Sequence, residues 1–462
     1  MILIEPESFG VNLFDYTKMP LLGLPILGTI LKQMGIKVKI FCENISSINW
    51  QEIKKADLVG ITVLTSLAPR AYELAAKIKK INSKCRIMMG GPHVSFCPQE
   101  ALKNGADFVI RHEGEKTLKK LINCLRDEGN PGDIKGLSYK KNNKIRHNPD
   151  RNNYQNLNQL PTPDFSLIKN YEKLKFIPLQ TSRGCPHNCD FCSVVQMFGQ
   201  KIRHRSPDRV IRDLNKMNNY FDLENKHVFF VDDNFSANKK RTEILLQRMK
   251  MFNYDFEWST QEEINIYKKE NILNLMKETG CKRLYIGIES FNPSSLKEYK
   301  KPQDVNDIST AIEVIQKKDI LIHGMFVLGA DNDSKDSILQ TVKTAAKKRI
   351  DTAQFFVLVP LPGTKVYQRL KKQGRLLVDK MKGWELFGGQ HVVFKPQNLS
   401  PYELQKLQIK AFKKFYNLKN SLGWLKKRKF NNLMYAIYGR ISLRKWKNHN
   451  HRFLNILKKR YS

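Results

Sequence analysis

Cysteine is scarce in this chain, eight among 462 residues. That sparsity excludes the small secreted domains that depend on a disulfide framework. No apolar run approaches the roughly 20 residues that a membrane-spanning helix needs. The opening Met1-Ile-Leu-Ile-Glu-Pro6 lacks the basic start and long apolar segment of a signal peptide. It predicts a strand, in a protein of the reducing cytoplasm. Internal repeats are absent. Acidic residues are few, 44 against 80 Lys and Arg, which leaves a net charge of +36. Hydrophobic residues still make up 41 % of the chain, enough for two or three domains with real cores.

Three of the eight cysteines are clustered. Residues 182–193 read Ser-Arg-Gly-Cys-Pro-His-Asn-Cys-Asp-Phe-Cys-Ser, so Cys185, Cys189 and Cys192 form a Cys-x3-Cys-x2-Cys triplet. Structural zinc usually takes four ligands in two pairs. Here no second Cys-x2-Cys exists, and the nearest extra donor, His187, lies between two of the cysteines. Bacterial ferredoxin runs use a different spacing, Cys-x2-Cys-x2-Cys. Three thiolates in one short loop can hold three irons of a cubane cluster. The fourth iron is then open to a substrate or cofactor. The segment 176–182 before the triplet reads as a strand, after which Gly184 permits a tight turn and Pro186 stiffens the loop. Cys42, Cys85, Cys97, Cys124 and Cys281 read as buried thiols.

Residues 1–140 alternate short apolar runs, at 2–5, 38–41, 58–63, 86–90 and 108–110, with amphipathic stretches at 21–34, 70–81, 98–104 and 115–125. This alternation predicts an α/β fold with a doubly wound, Rossmann-like parallel sheet. Such sheets bind ligands outside the carboxyl ends of their strands. Small residues cluster there: Thr65 and Ser66, Gly90 and Gly91 followed by His93, and Gly114 beside Glu115. Residues 141–172 are polar and irregular, with Pro161 and Pro163, and read as a linker. Residues 173–395 return to βα alternation, with strands expected at 177–180, 227–231, 256–259, 283–288, 322–328 and 353–359. Six parallel strands predict a partial (β/α)6 barrel. Residues 396–462 carry no strand pattern and read as a helical, basic C-terminal region.

The triplet after a strand, with Phe191 before the third cysteine, resembles the radical S-adenosylmethionine enzymes. The resemblance implies a 4Fe–4S cluster on Cys185, Cys189 and Cys192, whose open iron is chelated by S-adenosylmethionine and which yields a 5′-deoxyadenosyl radical. It further implies contacts to that cofactor at later strand ends. Asp232 and Asp233 in Val-Asp-Asp-Asn-Phe are candidates for its ammonium, and only one of two adjacent strand residues faces a ligand. Glu289 and Ser290 in Gly-Ile-Glu-Ser, Gln261, and Gly329 for the adenine complete the set. Pro360-Leu-Pro-Gly-Thr364 resembles the family's closing loop over the cofactor. Helix caps and rigid turns remain alternatives at several of these positions.

The order of pieces in 1–140, Pro20-Leu-Leu-Gly23, Gly90-Gly-Pro-His93 and Arg111-His-Glu-Gly-Glu115, resembles the cobalamin-binding domain that precedes the barrel in the cobalamin-dependent branch. That branch includes methyltransferases acting on unactivated carbon and the anaerobic magnesium-protoporphyrin ester cyclase. Thr65, Ser66, Gly90, Gly91, His93, Gly114 and Glu115 are then candidate cobalamin contacts. The Asp-x-His-x-x-Gly motif of many cobalamin proteins is missing, which implies a histidine-off mode. The implied reaction methylates an unactivated carbon of a small or lipid-like substrate, with electrons from a donor such as flavodoxin or ferredoxin. Three alternatives stay open: a radical cyclase or rrearrangement enzyme with an empty cobalamin domain, a tRNA methylthiotransferase-like enzyme, and a non-enzymatic basic binding module.

From Gly423 to Ser462 there are twelve Lys or Arg and no Asp or Glu. Aromatics interleave with them, and helical spacing brings Leu433, Ile437, Ile441 and Leu443 near one stripe. Cationic amphipathic helices of this kind lie on anionic membrane surfaces. A cap packed on the barrel is the competing reading, and nucleic acid is the least favoured partner.

Overall fold

The computed structural model describes residues 1–8, 10, 18–151, 154–251, 255–377, 383–417 and 430–461. The described chain falls into two compact units. The first is built mainly from Lys18–Pro186 and Ser193–Val228, the second from His187–Cys192 and the residues after Val228.

The first unit holds a seven-stranded sheet. Its strands are β1 (Ile2–Glu5), β2 (Lys39–Cys42), β3 (Leu58–Thr62), β4 (Arg86–Gly90), β5 (Phe108–Ile110), β6 (Leu137–Lys141) and β7 (Lys144–His147), in the order β2-β1-β3-β4-β5-β6-β7. The first five are parallel. β1, β3 and β4 are buried along nearly their whole length, as continuous apolar runs covered on both faces should be. Helices Gly23–Gln33, Ala68–Ile81 and Gly114–Arg126 supply the expected crossovers. β6 and β7 were not expected. They form an antiparallel hairpin that extends the sheet from β5, into residues that read as the start of a linker. The turn residues Asn142 and Asn143 both take positive φ, the geometry of a tight hairpin turn.

A second sheet contains β8 (Phe176–Leu179), β11 (His227–Phe230), β12 (Glu257–Glu262), β13 (Cys281–Glu289), β14 (Leu321–Leu328) and β15 (Thr352–Val357), in the order β15-β14-β13-β12-β11-β8. The pairs β12–β13, β13–β14 and β14–β15 are parallel. All six strands lie where the sequence placed them. Two-residue strands β9 (Ser182–Arg183) and β10 (Arg203–His204) pair separately. In the second unit Leu284, Ile286, Ile288, Ile322, Phe326 and Phe355 are among the core side chains. Helix Pro401–Phe415 starts at a Ser400/Glu403 capping box with Pro401 in its first turn, which fixes its start.

Buried thiols are found at Cys42, Cys85 and Cys281 as expected. Cys97 and Cys124 are only half-buried, because each sits at or near a helix end rather than inside a strand. No helix of the described residues is long and apolar enough to cross a membrane.

Candidate active site

The cluster loop begins where β9 ends. β9 pairs antiparallel with β10, Arg183 opposite Arg203, so the loop is closed at its base. Gly184 has φ +101°, and a Cβ there would lie 2.9 Å from the Lys201 carbonyl oxygen. Arg183 is buried. Its guanidinium donates to Glu113 Oε1 at 2.8 Å and to Glu115 Oε1 at 3.0 Å. Arg203 lies 2.7 Å from the same Glu113 oxygen, and the Gln155 backbone N–H donates to the other at 2.8 Å. Burial pushes the Glu113 carboxyl up, but Arg183, Gln155 and Arg203 outweigh it and hold the group below its usual range. The sequence carries no spacing signal for this four-charge network.

Along the loop, Cys185, Cys189 and Cys192 form no disulfide and are partly exposed. The Cys192 N–H donates to the Cys189 carbonyl at 3.2 Å. Residues 187–192 belong to the second unit and are held within it. Asp190 accepts from the Val366 N–H at 3.2 Å, at the helix that follows Pro360–Thr364, and its carboxylate is 3.1 Å from Lys300. Phe191 stands edge-on to Tyr299, ring centroids 5.3 Å apart. His187 Nε2 is 2.6 Å from Glu263 Oε2, so its ring already has a carboxylate partner.

Glu289 ends β13 with φ +61°, an unusual conformation for a residue with a side chain. Its carboxylate is 2.9 Å from Lys301 Nζ. Burial works against charge on Lys301, yet Glu289 and the thiols of Cys189 and Cys192 hold its pKa above the usual lysine value. Gly287 makes room for this pair: a Cβ there would lie 2.8 Å from Glu289 Oε1 and 3.0 Å from Lys301 Nζ. Lys301 was not among the sequence candidates. One lysine in so basic a chain carries no signal by itself.

The other strand-end candidates divide. Asp232 is fully buried, with the Arg241 guanidinium as its electrostatic neighbour, whereas Asp233 is partly exposed. Gln261 is partly exposed, and its carbonyl accepts from the Phe235 N–H. Ser290 Oγ accepts from the Asn292 N–H at 3.0 Å and sits 3.3 Å from Thr341 Oγ1, which is a turn role. Gly329 faces its own unit's core: a Cβ would meet Leu404 Cδ2 at 2.7 Å and Phe394 Cζ at 3.1 Å. The glycine is explained there by packing.

In the first unit the strand order 2-1-3-4-5 reverses between β1 and β3, and sheets of this order open their ligand crevice at that point. Thr65 and Ser66 follow β3 in a single 3-10 turn, at the carboxyl side of that crevice. Gly90 ends β4 and Gly91 follows it. Gly91 has φ +110°, and a Cβ would lie 2.9 Å from the Val63 carbonyl oxygen, so the two strand ends are packed backbone to backbone. His93 is fully buried, its Nε2 3.5 Å from Glu100. Gly114 opens its helix, and Glu115 is spent on Arg183. Thr65 and Ser66 stand at the switch point where such sheets take ligands, while Gly91 is accounted for by packing; the three cysteines on one loop fit an iron–sulfur cluster. His93 and Glu115 have protein partners instead.

In the C-terminal region, helix Phe430–His449 buries Ala436, Leu443 and Trp446. Met434, Ile437, Tyr438 and Ile441 are exposed. The expected stripe therefore splits, because Leu443 lies on the covered face and Ile437 and Ile441 on the open one; Leu433 and Trp424 lie outside the residues whose side chains are described. Helix His451–Tyr461 packs Phe453 and Leu457 against Leu377, Leu386 and Tyr402.

Comparison with known proteins gives the same two parts. The radical SAM superfamily profile matches residues 179–345 and the B12 binding domain profile residues 15–122. An uncharacterized methyltransferase of Pyrococcus horikoshii is 32 % identical over 429 residues, 90 % of this chain and 92 % of its own. The bacteriochlorophyllide d C-8(2)-methyltransferase of Chlorobaculum tepidum is 26 % identical over 379 residues, 79 % of each chain. Among solved structures, the cobalamin-dependent S-adenosylmethionine radical enzyme OxsB with aqua-cobalamin bound superposes with a TM-score of 0.74. It is 15 % identical and covers 94 % of this chain and 71 % of its own, a likeness of fold.

Proposed function

The chain belongs to the cobalamin-binding radical S-adenosylmethionine methyltransferases, and from that premise we propose that it methylates an unactivated carbon of a small or lipid-like substrate. Its cofactors are a 4Fe–4S cluster, S-adenosylmethionine and cobalamin. When bound, they supply the electron, the radical and the methyl group. This chain's own residues bind, orient and exclude water.

The observation that carries the assignment of roles is the Glu289–Lys301 pair beside Cys189 and Cys192. Bound S-adenosylmethionine would bring one ammonium and one carboxylate to this part of the loop. Glu289 would then accept from the ammonium and Lys301 would meet the carboxylate, as charge-assisted bonds. Asp233 is the second acceptor, since Asp232 is buried against Arg241. Phe191, fixed on Tyr299, holds the third cysteine's backbone. Thr65 and Ser66, at the switch point, would contact cobalamin, and His93, buried beside Glu100, would not serve it as a ligand. The domain assignment follows: cobalamin-binding in 1–140, the radical core in 173–395, a helical extension after 396.

The exposed stripe Met434, Ile437, Tyr438 and Ile441 recurs at three- and four-residue intervals, with Arg440, Arg444 and Lys445 beside its end. It supports docking on an anionic membrane surface, which suits a lipid-like substrate. A relative that methylates a bacteriochlorophyllide carbon supports the reaction class. The testing experiment is anaerobic reconstitution with S-adenosylmethionine and a reductant. Expected are about four irons per chain, a corrinoid absorption spectrum, and 5′-deoxyadenosine whose formation depends on the three cysteines. About eight irons per chain, two cubanes, would instead favour a methylthiotransferase, and a chain that takes up no corrinoid would favour the cyclase reading.

A further inference from the structure

His93, Cys97 and Glu100 fall at a His-x3-Cys-x2-Glu spacing across the joint between helices Pro92–Phe96 and Pro98–Lys103. Each offers one ligand atom, and those atoms all lie within 4.8 Å of one another. His93 Nε2 and Glu100 Oε1 are 3.5 Å apart. A tetrahedral zinc ion with bonds of about 2.1 Å to nitrogen and oxygen sets two such ligands about 3.4 Å apart. His93 and Glu100 already stand at that spacing, and the Cys97 sulfur lies within 4.8 Å of both.

Burial and charge agree with the spacing. The His93 side chain is fully buried, with the Tyr72 ring 6.4 Å from its own. Cys97 is half-buried, and the Glu100 side chain is one-third exposed. The trio is thus closed on the histidine side and open to water on the glutamate side, which leaves room for a fourth, non-protein ligand. A neutral imidazole, a thiolate and a carboxylate around a divalent cation sum to zero charge, so a half-buried site incurs little desolvation cost. The helix break at Cys97, with φ −125° and ψ 49°, turns the thiol and the next helix's carboxylate toward the histidine.

We propose that His93, Cys97 and Glu100 form a zinc site in the first unit, distinct from the cluster cysteines. It takes three protein ligands and one water, and it clamps the two short helices that follow β4. The inference is independent of the methyl-transfer reading, because it concerns neither S-adenosylmethionine nor cobalamin contacts.

Elemental analysis of the reconstituted full-length protein, equilibrated with micromolar zinc and washed, tests it. About one zinc per chain is expected beside the cluster iron. Cys97→Ser should lose at least nine-tenths of that zinc with iron, corrinoid and circular dichroism unchanged. Glu100→Gln, at the solvent side, should weaken zinc at least tenfold in competition with a chromophoric chelator. Wild-type protein without stoichiometric zinc overturns the proposal. So does a folded Cys97→Ser protein that keeps its zinc, or Glu100→Gln with unchanged zinc affinity.

Discussion

Lys301 and Glu262 show what single side chains carry. Lys301 pairs with Glu289 and lies within electrostatic reach of two cluster cysteines, so Lys301→Met should leave iron content intact while raising the KM for S-adenosylmethionine by about tenfold or more, as one charge-assisted bond lost requires. Anaerobic 5′-deoxyadenosine assays across S-adenosylmethionine concentrations check this; an unchanged KM would remove Lys301 from the site. Gly287→Ala would push the ends of the Glu289 and Lys301 side chains aside, so a smaller rise in KM is expected. Glu262 makes a different prediction. It is fully buried, and burial raises its pKa from 4.5 to about 7, against the Ser236 and Glu263 N–H donors that favour the anion. A raised folded pKa means stability is complete below about pH 4.5 and declines as pH rises through 7. Glu262→Gln should therefore flatten that decline, and its Tm advantage over the wild type should grow from pH 5 to pH 8. Glu289 and the cysteines were legible from short motifs, but Lys301 and Glu263 were not. They reach the site through the fold, from positions that have no distinctive spacing.

At the level of elements, the strand ladder was read almost completely, because fully buried parallel strands are unbroken apolar runs. The β6–β7 hairpin escaped because its second strand, Lys144-Ile-Arg-His147, is mostly exposed and nearly all basic, so no apolar alternation marks it. The β9–β10 pair is two residues long, below any periodic signal. Its anchor is energetic rather than patterned. Arg183, Glu113 and Glu115 are each less than a tenth exposed, and removing one partner of a buried ionic set costs about 3–5 kcal/mol. Arg183→Ala should lower Tm by several degrees and impair cluster retention, while Glu113→Gln combined with Arg183→Met should be milder than the sum of the two singles. Strictly additive losses in that cycle would mean that the charges act separately.

For the molecule as a whole, charge and surface chemistry converge on the C-terminal region. Of six large apolar side chains exposed among the described residues, four stand on the helix Phe430–His449. The sequence showed the basic run but not which apolar residues were covered, since one helix here has apolar residues on two faces. Flotation with vesicles should recover the protein with phosphatidylglycerol-containing liposomes and not with phosphatidylcholine alone. Ile437→Glu with Ile441→Glu should abolish recovery without changing Tm. Binding indifferent to lipid charge would argue against this surface.

The Arg183–Glu113–Glu115–Arg203 set has a consequence for descent and for engineering. Two cations and two anions share one dry position, one pair from the end of the first parallel ladder and one from the threshold of the cluster loop. No member can change alone at low cost, so the four should be inherited as a block. A chimera that joins residues 1–150 of a relative lacking either carboxylate to the remainder of this chain should express poorly, and restoring both acids should rescue it.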